Sequence, residues 1–166
     1  RREAEELAAV ARMLTESLDV AAVGQRIAES VLPLFGVQSS VLRLLQPDGS
    51  LLCIASAGPA RDHFEPGHVM PSECGGVTGR VVAEGIPVWS RDAPSDPGIG
   101  FTDDMRHRVV ASGNRAALAV PLRVKGKITG VLTIADRAVR AFSEAEVELL
   151  QAFADQAALA LENARL

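Results

Sequence analysis

The chain has 166 residues, 48% hydrophobic and 23% charged, with a net charge of −4 and a pI near 5.4. That balance suits one globular domain able to bury a core without staples, and it argues against a phosphate-backbone partner, which needs a basic face. No apolar run approaches the roughly 18 residues of a membrane span, no signal peptide opens the chain, and two cysteines make no disulfide framework. A reducing, cytoplasmic compartment fits. Cys53 reads as a small buried hydrophobe and Cys74 as a loop thiol. Both ends read as cut from something longer, since the chain opens on Arg1 and closes on Leu166 inside a helical pattern.

Residues 1–18 are rich in Glu, Ala and Leu, with apolar residues at alternating spacings of three and four, which predicts a helix with a narrow seam. Asp19 offers an N-cap for a second helix ending by Gly36. Residues 37–46 and 50–57 predict a hairpin about Pro47-Asp48-Gly49. From 58 to 76 repeated Pro and Gly deny regular structure. A short helix over 77–84 closes at Gly85, and 86–90 reads as a brief strand. After a second irregular stretch, 91–100, Thr102 caps a helix through Val110, and Asp103 and Asp104 suit its positive end.

Residues 115–124 and 127–136 predict a second hairpin about Lys125-Gly126, and Gly130 allows a close approach or a bulge. Ser143 with Glu146 three residues on forms a capping box for the last helix, which carries a second seam. Strands in hairpins, with helices at the ends and middle, give an α+β fold. Residues 1–166 form one domain: a signalling and dimerisation helix (1–18), a core (19–142) and an exit helix (143–166).

Several segments resemble a GAF domain, the small-molecule sensory domain of bacterial signalling proteins such as sensor histidine kinases. They are Gly75-Gly76-Val77-Thr78-Gly79-Arg80-Val81-Val82 with Gly85-Ile86-Pro87-Val88, then Ala119-Val120-Pro121-Leu122 with Gly126-Lys127-Ile128-Thr129-Gly130-Val131-Leu132. Phe142-Ser143-Glu144-Ala145-Glu146 and the run to Leu166 complete the likeness, which covers residues 19–166. The resemblance implies a central antiparallel sheet of about six strands. Terminal helices pack on one face, and loops and short helices roof a pocket on the other, here residues 58–113. It also implies terminal helices that pair two subunits and continue into a histidine kinase, cyclase or phosphatase.

The resemblance leaves the ligand and any cofactor unknown. Cyclic-nucleotide binders of the family carry Asn-Lys…Phe…Asp-Glu, whereas this chain has Asp136-Arg137, Phe142 and Glu146. No cysteine adjoins His107, so a tethered bilin is disfavoured. The haem-ligating position aligns with Ala111, one turn from His107, and haem stays open. A free methionine sulfoxide reductase of this fold would need a cysteine near Thr78, and Cys74 lies four residues earlier. The glycines at 75, 76 and 79 read better as a tight packing loop than as an anion cradle.

The expected function is therefore a sensory input domain, not an enzyme, that binds an unknown small molecule. A ligand-free dimerisation scaffold is the alternative. Trp89, Arg91, Phe101, Met105, Arg106, His107 and Arg115 border the broken stretches and are the candidate ligand contacts. No catalytic or metal site is expected. Leu7, Leu14, Leu18, Leu150, Ala154, Ala157 and Leu161 lie on the two seams and are the candidate homodimer interface.

Overall fold

The computed structural model describes the backbone of residues 2–165 and the side chains of residues 19–165. The first helix, α1, runs unbroken over Arg2–Phe35, where the sequence predicts two helices meeting at Asp19. Residues 2–23 contain neither Gly nor Pro, so nothing interrupts the backbone ladder, and Asp19 sits exposed in mid-helix rather than capping. Pro33 falls in the last turn of α1, and Gly36 ends it in a left-handed conformation with its N–H on the Leu32 carbonyl.

Six strands follow: β1 (Ser39–Leu45), β2 (Ser50–Ala57), β3 (Val69–Pro71), β4 (Val88–Ser90), β5 (Ala116–Val124) and β6 (Lys127–Asp136). They form one antiparallel sheet in the order β3-β2-β1-β6-β5-β4. The two hairpins predicted from the sequence make its centre, joined where β1 pairs with β6. The edge strand β3 lies in the stretch that reads as irregular. A strand of three residues that ends on Pro71, close behind Pro66, is too short to show a period of two.

Lys125 and Gly126 both take positive φ, 53° and 78°, the mirror-image turn expected of a two-residue loop. Gly130 is required by a close approach: a Cβ there would stand 2.3 Å from the Arg43 carbonyl oxygen across the β1–β6 pairing.

The remaining helices are α2 (Gly76–Glu84), α3 (Asp103–Ser112) and α4 (Glu144–Arg165). Thr102 caps α3, its Oγ1 accepting from the Met105 N–H at 3.2 Å. At α4 the capping box is reciprocal: the Glu146 N–H donates to Ser143 Oγ at 3.1 Å, and the Ser143 N–H donates to Glu146 Oε1 at 3.0 Å. The Ser143 N–H holds the Glu146 carboxyl below its ordinary range, with help from Arg140. A depressed carboxylate stabilises the fold above its unfolded pKa of about 4.3, and that contribution is lost as the pH falls through the folded value.

Alternation along the strands, shifted once by a bulge at Ile54 in β2, separates two cores. Leu42, Leu118, Val120, Leu122, Leu132 and Ile134 face α1 and α4, meeting Val31, Leu150, Ala154 and Leu161. Val41, Cys53, Ala117, Ala119, Val131 and Ala135 face the other way, under Phe64, Val77, Val81 and Met105.

This packing corrects the α4 part of the predicted dimer interface. Leu150 and Ala154 are fully buried, and Ala157 and Leu161 are 4% and 5% exposed, all within the core of one chain. The seam that reads as a subunit contact is the face with which α4 grips its own sheet. Leu7, Leu14 and Leu18 lie outside the residues whose side chains are described. Changing Leu161 to Ala should therefore cost roughly 2–5 kcal/mol in urea unfolding with no change in sedimentation. A variant that kept its stability but lost mass would place Leu161 between subunits instead.

Candidate ligand-binding site

Between the sheet and its roof lies a cavity of about 60 Å³. The side-chain alternation creates it. Most strand positions facing the roof here are small, among them Ser39, Ala117, Thr133 and Ala135, while the opposite face carries Leu and Ile. Phe64, Phe101, Met105 and Val109 close the cavity from above. The roof is laced by backbone bonds: the Gly76 N–H donates to the Gly100 carbonyl at 2.9 Å and the Thr102 N–H to the Cys74 carbonyl at 2.8 Å. The N–H groups of Gly75, Gly76 and Gly79 are all spent on neighbouring carbonyls, so this run is a packing loop, as the sequence suggests.

One buried charge lies at the cavity wall. Arg43 is 3% exposed, and among the described residues no carboxylate comes within ion-pairing distance of it. Its Nη1 makes a long hydrogen bond of 3.4 Å to Thr78 Oγ1, its Nε has no partner, and its guanidinium carbon stands 5.3 Å from the centre of the Phe64 ring. Burial pushes its pKa down to about 10, which leaves it cationic at neutral pH. The nearby Cys53 thiol is pushed up by its own burial, so it stays neutral and supplies no counter-charge. Thr78 Oγ1 in turn lies 2.7 Å from Thr133 Oγ1. Asn114, 8% exposed, also lines the cavity, and its Oδ1 has no partner.

Of the predicted contacts, Phe101, Met105 and Arg115 reach this cavity. Arg115 sits at the rim, its charge met by Asp92 through Nε–Oδ1 at 2.6 Å and Nη2–Oδ2 at 2.5 Å, and it holds the Asp92 carboxyl below the usual range. The other four lie outside. On β4 Val88 and Ser90 point inward, so Trp89 points outward, edge-on to Phe142 with ring centres 6.2 Å apart. Arg91 is exposed beyond the end of that strand. On α3 the inward positions are Met105, Val109 and Ser112, which puts Arg106 and His107 on the outer face. Arg106 stacks over the Phe101 ring at 5.1 Å and donates to the Pro94 carbonyl.

The residues that sequence reasoning missed are Arg43, Phe64, Thr78, Asn114 and Thr133. Arg43 left a signal: it is the single charge in the apolar strand Ser39–Leu45.

The sheet order, the terminal helices on one face and the roofed cavity on the other agree with a family match. The GAF domain family matches residues 17–162. This chain belongs to the GAF domain family. Among solved structures, the GAF-B domain of DevS from Mycobacterium smegmatis is 24% identical, with a TM-score of 0.66 over 87% of this chain and 94% of that one. The type II free methionine-R-sulfoxide reductase from Thermoplasma acidophilum is 18% identical, with a TM-score of 0.71 over 89% and 96%. A domain of a protein described as a two-component sensor histidine kinase from Sinorhizobium meliloti 1021 is 14% identical, with a TM-score of 0.67 over 87% and 91%. At these identities the likeness is one of fold. No curated protein matches the chain. Among the described residues no helix is long and apolar enough to cross a membrane, and no cluster of potential metal ligands occurs.

An unpaired buried charge weakens the domain that carries it. Arg43→Met should therefore raise the stability of the ligand-free GAF domain by about 1–3 kcal/mol in urea unfolding. A loss of that size would show the guanidinium to be fully satisfied by the interior.

Proposed function

We propose that this GAF domain is a sensory and regulatory input module. It takes a small molecule between sheet and roof and passes its occupancy through α1 and α4 to an output domain in a longer protein. The observation that carries this reading is the cavity itself, with a buried cation and an open amide oxygen at its wall. A roof that served packing alone would gain by covering both groups with carbon. The terminal helices lie directly behind the same strands that floor the cavity. A ligand that spreads the roof from the sheet would bias how α1 and α4 pack, a helix shift of the kind that relays signals. The Sinorhizobium relative, described as part of a sensor histidine kinase, is consistent with such a role. A cytoplasmic setting belongs to the same proposal.

The domain is read as non-catalytic. The Thermoplasma relative is a reductase, and thiol chemistry of that kind needs an exposed, low-pKa cysteine at the pocket. Here neither cysteine lines the cavity, and Cys53 is buried with its thiol pushed up. The cavity's size favours a second reading, the ligand-free scaffold, because 60 Å³ holds neither a nucleotide nor a macrocycle without the roof opening.

In either reading a homodimer is proposed, through a stripe of α4 one residue removed from the buried one. Leu149 and Leu159 stand 51% and 53% exposed there, with Ala152 and Gln156 between them at heptad spacing.

Two measurements test these readings. Small metabolites screened by amide NMR should shift Gly76, Thr78 and Met105. A screen in which none moves them leaves the scaffold. Changing Leu149 and Leu159 to Asp should convert a dimer to a monomer in sedimentation at tens of micromolar without lowering the melting temperature. A monomer in the unaltered chain would remove the dimer.

A further inference from the structure

Arg43 also limits the chemistry of what the cavity can hold, an inference that rests on the sensory reading above. Its guanidinium lies at the wall, 3% exposed, with Nε unpartnered and only a 3.4 Å contact to Thr78 at Nη1. The Asn114 amide shares the same cavity with its Oδ1 unpartnered, and the two ends of a side-chain amide exchange by a simple flip, which would present donors instead. Val41, Met105 and Val109 add apolar wall to the same cavity. A space of 60 Å³ accommodates about four to six waters at 10–15 Å³ each.

We propose that the cavity binds a small planar monoanion, a carboxylate or oxoanion of about four to six non-hydrogen atoms, with its charge on the Arg43 guanidinium. The planar fork of Arg matches two oxygens of such an anion side by side, and the low polarity of the surroundings strengthens the pairing. Water could satisfy Nε, but it cannot neutralise the charge. An anion does both. Arg115 is no rival for this role, because Asp92 already occupies its fork.

The test is calorimetric and NMR titration of the whole 166-residue chain with acetate, propionate and nitrate against acetamide and propionamide. We expect the anions to bind with Kd values of roughly 0.01–10 mM, the range open to ligands this small, and the amides not to bind. Arg43→Lys keeps the charge and loses the fork, and should weaken binding about tenfold or more. Arg91→Gln should leave it within about twofold, since that side chain is exposed outside the cavity. Should Arg43→Lys fail to fold, the contrast between acetate and acetamide in the unaltered chain still decides. Tighter propionate than nitrate points to an organic carboxylate with its tail on Val41 and Met105, and the reverse to an inorganic oxoanion. Either supports the proposal. Equal binding of acetamide and acetate, or full affinity in Arg43→Lys, overturns it while the sensory reading stands. If neither anions nor amides bind, the anion proposal is overturned, and the metabolite screen described above decides the sensory reading.

Discussion

Side-chain size alternates across the central strands, and the rest of the structure depends on that constraint. On β5 and β6 the residues facing the helices are Leu118, Val120, Leu122, Leu132 and Ile134. Those facing the roof are Ala117, Ala119, Val131, Thr133 and Ala135. The sheet therefore binds α1 and α4 with its large face. Each fully buried leucine there is worth roughly 1.5–3 kcal/mol. The other face is too small to fill the space beneath the roof. Firm packing on one side and a residual cavity on the other follow from one pattern with a period of two.

The cavity would be unremarkable if its wall were wholly apolar. Arg43 makes it chemically specific. The strand pairing fixes its backbone, with Gly130 admitting the Arg43 carbonyl at close range, so the side chain cannot retreat to solvent without unzipping β1 from β6. Phe64 and Thr78 hold the guanidinium in place but do not neutralise it. A charge kept in this condition is a standing cost to the fold. Functional sites are where such costs are tolerated, because the ligand removes them on binding.

Much of this was legible in the sequence, and the failures have physical causes. Both hairpins, the Lys125-Gly126 turn, the Thr102 cap and the Ser143–Glu146 box follow from local chemistry that acts over four residues or fewer. The break at Asp19 was not real, because a capping residue cannot interrupt a helix when the residues on both sides favour continuing it. The α4 seam was seen correctly but given the wrong partner. A stripe of Leu150, Ala154, Ala157 and Leu161 specifies burial, not whether the covering surface belongs to the same chain. The site was the hardest part. Its residues come from β1, α2, α3, β5, β6 and the loops between them, and only the fold brings them together. Attention to the broken stretches found Phe101, Met105 and Arg115. It also drew in Trp89 and His107, which lie in or beside those stretches but turn away from the cavity.

The Nε–Hε resonance of Arg43 reports on this site most directly, because it belongs to a buried cationic donor at the cavity wall with nothing to bind. In the free GAF domain, with the signal identified by its loss in Arg43→Lys, acetate should move it downfield in a saturable way and slow its exchange with water, while acetamide leaves it in place. A resonance that ignores acetate while amides elsewhere in the cavity respond would contradict the assignment of Arg43 as the group that holds the ligand.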